Sequence, residues 1–145
     1  MQSYLSVALA LIAGIIAGSI VNISIVYLGP YFIAPPDGVD MASAESLRAN
    51  AHALHPKHYI FPLIAHAAGT YCGALIGYRV AKAYNALVAY CIGFLFLFGG
   101  ITAAITIPAP LDFILVDLIF AYIPMAYAAI STLKPHRSIY DDVPQ

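Results

Sequence analysis

Asp117 lies inside a long apolar run, and His66 is the only deep titratable residue of complementary type. An ionised carboxylate facing lipid costs about 2.5–3.5 kcal/mol even on permissive scales. Asp117 is therefore expected to face protein and to find a partner or a proton. Asn22 and Thr102 are polar residues set into apolar runs at a similar depth, and Thr70 lies on the same face as His66 one turn later. An Asp–His pair with Asn and Thr donors has the chemistry to bind a proton, a cation or a small polar ligand. The alternative is that these groups bond one another and only orient helices. Such intramembrane bonds average about 0.6 kcal/mol, a modest return for burying an Asp.

A second group of chemically able residues lies between Pro35 and His58. Asp37, Asp40, Glu45, His52, His55 and His58 fall in a polar stretch that leads into the His66 segment. His52 and His55 are three apart, a helical spacing at which two imidazoles can share zinc, copper or nickel. Arg48 on the same stripe and Pro56 before His58 weigh against a metal site, and a pH-sensitive exposed loop is the ordinary reading. One deep His gives one axial ligand, too few for haem, and no cofactor is expected. Tyr31 or Tyr59 could line the mouth of a site below this loop.

The elements that must position these residues are membrane helices. The chain has 145 residues, 62% hydrophobic and 9% charged, against about 25% charged in soluble domains. Four apolar runs, roughly 4–28, 58–78, 86–107 and 111–133, reach the roughly 20 residues that cross a bilayer. The reading is a single all-α integral membrane domain: a four-helix bundle with a short amphipathic helix in its first loop. The first run has no basic residues ahead of it and too long an apolar core for a secretory signal, so it counts as a span. A net charge of −1 gives no electrostatic basis for nucleic-acid binding.

Ala10, Gly14, Gly18 and Asn22 recur every four residues in the first span, and Ala65, Gly69, Gly73 and Gly77 in the second. Such stripes let backbones approach closely. Their simplest use is to pack on each other or on a third helix. The Gly14/Gly18 or Gly69/Gly73/Gly77 faces are also the candidate surfaces for a second copy or a partner in a membrane complex. Gly29-Pro30 and Pro35-Pro36 are expected to stop the first helix. Asp40 or Ser43 should cap a short surface helix over 41–54, ended by Pro56. Pro124 should kink the fourth span. Cys72 and Cys91, both inside apolar runs, read as packing residues.

Arg79 and Lys82 follow the second span and Lys134 and Arg137 the fourth, against Arg48 and Lys57 in the acidic first loop. The positive-inside rule then places both termini in the cytoplasm, the loop 29–57 outside and 134–145 as a cytoplasmic tail. At about 1.5 Å per residue, Asn22, His66, Thr102 and Asp117 all lie about 8–13 Å inside the outer boundary. The polar residues thus gather in one half of the membrane.

The segments PPDGVD, SLRANAHALHPKHYIFPLIAHAAGTYCGALIG and DLIFAYIPMAY resemble an uncharacterised family of small four-helix bacterial integral membrane proteins. PKHYIFPLIAH is the most specific part of that resemblance, which covers most of the chain. It implies the four-span fold and a bacterial cytoplasmic membrane, and it implies no reaction. Three function classes fit the residues: a binding or accessory membrane subunit, a small oligomeric transporter or channel, and an intramembrane enzyme using His66 and Asp117 as acid and base. No GxSxG, HExxH or phosphate-loop motif supports the third.

Overall fold

The computed structural model describes residues 2–133 and is all-helical, with no strand among them. Helix α1 spans Gln2–Phe32 and α2 spans Ala44–Ala49. Two 3-10 turns, Ala51–Ala53 and Pro56–Tyr59, lead into α3, Ile60–Val80. Helix α4 spans Asn85–Thr106, α5 Leu111–Phe120 and α6 Ile123–Leu133. Four stretches are long and apolar enough to cross a membrane: Tyr4–Phe32, Pro56–Val80, Asn85–Thr106 and Leu111–Leu133. The chain is a multi-pass four-span protein, and the tail 134–145 lies outside the described residues.

The bundle is organised around α3, which packs against α1 on one side and against α4 and α6 on the other. The two small-residue stripes meet each other. A Cβ on Gly14 would come within 2.6 Å of the Gly73 carbonyl oxygen, and one on Gly18 within 2.6 Å of the Gly69 oxygen. Only glycine permits this approach, which gives dispersion contact along the whole crossing. Because both stripes are used inside the chain, a second copy or other partner would have to meet a different face. Ala74, Ala89, Ala126, Ala129 and Ile130 form the buried contact among α3, α4 and α6.

Proline acts differently at its three α-helical sites among the described residues. Pro30 does not end α1, which runs on to Phe32 with Ile33 N–H donating to the Gly29 carbonyl at 2.9 Å. Gly29 has no Cβ to clash with the proline ring, so the usual restriction on the preceding residue is relaxed. Pro62 falls in the first turn of α3, where a missing donor costs little. Pro124 does more than kink the fourth span. It breaks it, leaving residues 121–122 outside both α5 and α6, because the Phe120 carbonyl has no N–H four residues on.

The first loop holds a short helix, but a shorter one than 41–54. Ser43 caps α2 by accepting from Ser46 N–H at 3.2 Å, while Asp40 accepts from Ala42 N–H. The helix stops at Ala49 because the Asn50 amide turns back to the Ser46 carbonyl at 2.8 Å, a local bond that competes with helix continuation. Asp37-Gly38 forms the expected turn, with Gly38 at φ +78°. Arg48 Nε donates to the Thr106 carbonyl at 2.8 Å, tying this loop to the C-terminal end of α4, where a cation suits the helix dipole.

Candidate functional site

His66 and Asp117 are in direct contact. His66 sits in α3 two turns from its start, and its Nδ1 lies 2.8 Å from Asp117 Oδ1. A third residue completes the cluster. The Tyr122 hydroxyl donates to Asp117 Oδ2 at 2.8 Å and lies 3.0 Å from His66 Nδ1. One proton arrangement satisfies every contact: Nδ1–H donates toward Asp117 and the tyrosine oxygen, and the tyrosine proton goes to the carboxylate. Each carboxylate oxygen then accepts a bond, which lets a charge persist in the apolar interior. Asp117 and Tyr122 are 4% and 1% exposed. The His66 side chain keeps 24% of its surface, and its Nε2 has no partner among the described residues. In the neutral ring with its proton on Nδ1, Nε2 presents a lone pair to whatever enters.

Sequence reasoning missed Tyr122. On an unbroken helix, residues five apart stand about 140° apart around the axis, so Asp117 and Tyr122 would not share a face. The break at 121–122 re-aims the tyrosine ring toward the carboxylate. The signal available was Pro124, since a break there turns a different side chain toward the bundle.

The remaining candidates divide. Thr70 is fully buried, and its hydroxyl donates to the His66 carbonyl at 2.8 Å, so it serves the helix that carries His66 and does not face a cavity. Thr102 does not join the cluster: it is exposed and donates to the Phe98 carbonyl. Depth was right for Thr102 but azimuth was not, since it lies about 200° around α4 from Gly100, which faces the site. Asn22 lines a cleft that also contains His66, Gly100 and Tyr122. Tyr59 lines the cavity below the loop, whereas Tyr31 is 86% exposed and takes no part.

In the first loop, Asp37, Glu45 and His52 are exposed. His58 is buried, and its Nδ1 accepts from His55 N–H at 2.9 Å. The weak metal reading of His52, His55 and His58 finds no support in the geometry. Among the described residues no three His, Cys, Asp or Glu side chains gather as metal donors. The end of α2 and Pro56 break the helical register that would have aligned the three rings.

Two cavities flank His66. One, of about 130 Å³, lies under the first loop, with Met41, Leu47 and Leu54 as its roof and His66 and Asp117 in its wall. The other, of about 490 Å³, is a more open cleft between α1 and α4. His66 and Gly100 line both. Compared with known proteins, the chain matches no family model, no curated protein and no solved structure.

Proposed function

We propose that this chain is a small binding or accessory protein of the bacterial cytoplasmic membrane, whose pocket in the outer half of the bilayer receives a small polar group. The observation that carries this is the closed His66–Asp117–Tyr122 cluster with His66 Nε2 left unpartnered beside two cavities. A cluster serving only to hold helices together needs no cavity and would leave no ring nitrogen open. Here the carboxylate and hydroxyl orient the imidazole, and the free nitrogen meets the ligand. Met41, Leu47 and Leu54 close the pocket from above, and the Arg48 tether holds that roof in place.

Native mass spectrometry of the chain extracted from its membrane tests the reading. Wild type should retain a small molecule that Asp117→Asn loses while melting within a few degrees of wild type. An empty wild-type chain, or the same adduct in both proteins, would overturn it.

A small transporter or channel for a proton, cation or polar solute is the second reading, favoured by the meeting of two cavities at His66. Against a through-path, neither of these cavities is lined beyond Ile15 of α1, and past that level α1 and α3 touch through glycine. The same proposal sets both termini in the cytoplasm, since Arg79 and Lys82 stand at the end opposite the first loop. In a background lacking Cys72 and Cys91, an impermeant thiol reagent added outside should label Ser43→Cys and spare Lys82→Cys.

A further inference from the structure

The cleft between α1 and α4 differs from the pocket under the loop in ways that specify a ligand. The two helices meet around Ala10, Val88 and Ile92. Toward the loop end the cleft lies between them, walled by Ile15, Ile23, Leu95 and Phe96 and open at Gly99, which is exposed. Since both helices are membrane spans by length and composition, this opening faces hydrocarbon.

Six other Ser and Thr hydroxyls in the spans are satisfied locally. Ser24, Thr70, Thr102, Thr106, Ser131 and Thr132 each donate to the carbonyl four residues back. Ser19 and Asn22 make no hydrogen bond among the described residues, and both line the cleft beside His66. A free primary amide at this depth is costly in hydrocarbon. Three unpartnered polar groups, the Ser19 hydroxyl, the Asn22 amide and His66 Nε2, therefore share one wall system whose remainder is apolar apart from Tyr122, whose hydroxyl is already engaged.

We propose that this cleft admits, sideways from the lipid, an uncharged amphiphile with an apolar tail and a hydroxyl or carbonyl head. The head hydrogen-bonds to Asn22, Ser19 and His66 Nε2: the amide donates to a carbonyl, and the imidazole nitrogen accepts from a hydroxyl. Charge decides against other heads. No Lys or Arg lines the cleft to meet a phosphate, and both oxygens of Asp117 are already engaged by His66 and Tyr122, leaving a cationic head without a counter-ion. A volume of about 490 Å³ lies in the range of small-molecule sites, about 300–1,000 Å³. The inference rests on the functional reading of the His66 cluster and names the ligand class and its route.

The test uses the full chain in phosphatidylcholine nanodiscs with three photoactivatable diazirine probes of one chain length: a hexadecyl alcohol, a hexadecyl phosphate and a hexadecyl trimethylammonium. The alcohol should label cleft residues of α1 and α4 well above the other two, and excess plain hexadecanol should compete it away. Asn22→Leu should cut labelling about tenfold, the size of one or two lost hydrogen bonds out of water. Gly99→Phe should abolish it by filling the opening, since a Cβ at Gly99 meets nothing within 4 Å. Ser24→Ala, whose hydroxyl only bonds its own helix, should change nothing. Equal labelling by all three probes, or labelling insensitive to Asn22→Leu, would mean ordinary lipid and overturn the proposal. Crosslinking of two chains through α1 would mean that a second copy fills the cleft, with the same consequence. Asp117→Asn separates the two readings. Asp117-dependent retention of a small molecule without cleft labelling would sink the lateral route alone. Asn22-dependent labelling indifferent to Asp117 would sink the pocket reading alone.

Discussion

The loop half of the bundle and the far half are built from different materials. In the far half α1 and α3 touch backbone to backbone through Gly14 and Gly73, and Ile92 packs against both Gly14 and Gly77. Its polar contacts include the exposed Tyr71–Thr132 hydroxyl pair and the Asn85 amide, which donates to the Tyr78 and Ala81 carbonyls. The loop half holds the buried Asp117, the half-open His66, the broken fourth span and the cavities beside them. The glycine crossing runs on through Gly18 and Gly69 to Asn22 and leaves no room for a ligand between α1 and α3. The cavities therefore open beside it, between α1 and α4 and under the loop. Stability is set chiefly by the glycine crossing and chemistry by the cluster beside it, so that variants of the cluster should be tolerated by the fold.

The sharpest way to break that comparison is to damage the far half. Gly73→Leu places a side chain against the Gly14 carbonyl, 2.8 Å from the first added carbon. Backbone cannot yield as a side chain does, and a loss of about 3 kcal/mol or more is expected, read as a collapse in the detergent-resistant folded fraction. A normally folded Gly73→Leu protein would mean that the α1–α3 contact is not what holds the molecule together.

Two adjacent glycines test the boundary of the site. A Cβ on Gly100 would collide with the Tyr122 hydroxyl and ring, whereas one on Gly99 meets open space. Gly100→Ala should cost about 1–3 kcal/mol and displace the tyrosine. Gly99→Ala should be neutral or gain about 0.5–1 kcal/mol from helix propensity. Thermal unfolding of the pair side by side checks both, and equal effects would contradict the placement of Tyr122.

Within the cluster the expected changes are smaller. Tyr122→Phe removes one donor to Asp117 and should cost about 1 kcal/mol. Asp117→Asn should cost a similar amount, and the double variant less than the sum because the two share a bond. Strict additivity would argue that the residues do not interact. The smallest effect belongs to the loop. Arg48→Ala should leave the melting temperature unchanged while raising amide exchange over residues 37–55 about fivefold, the response of a tethered segment losing about 1 kcal/mol of local protection.

Much of this organisation was legible from residue types. Four spans, the four-residue glycine stripes, the pairing of Asp117 with His66 and the turn at Asp37-Gly38 all follow from hydropathy, side-chain size and the cost of an unpaired charge in hydrocarbon. Each is a local or one-dimensional property, and depth along a helix can be counted residue by residue. Azimuth cannot be counted once a helix breaks. Thr102 was at the right depth on the wrong face, and Tyr122 reached Asp117 only because Pro124 interrupted the fourth span and reset the register. The loop helix was shortened by the Asn50 amide, and α1 passed through Pro30 because the residue before it is glycine. Composition and spacing determined that this chain crosses a membrane four times with its polar groups gathered toward one end. Which of those groups touch, and which are left open to a cavity, was decided by helix rotation and a single broken turn, which exist only once the four spans are packed against one another.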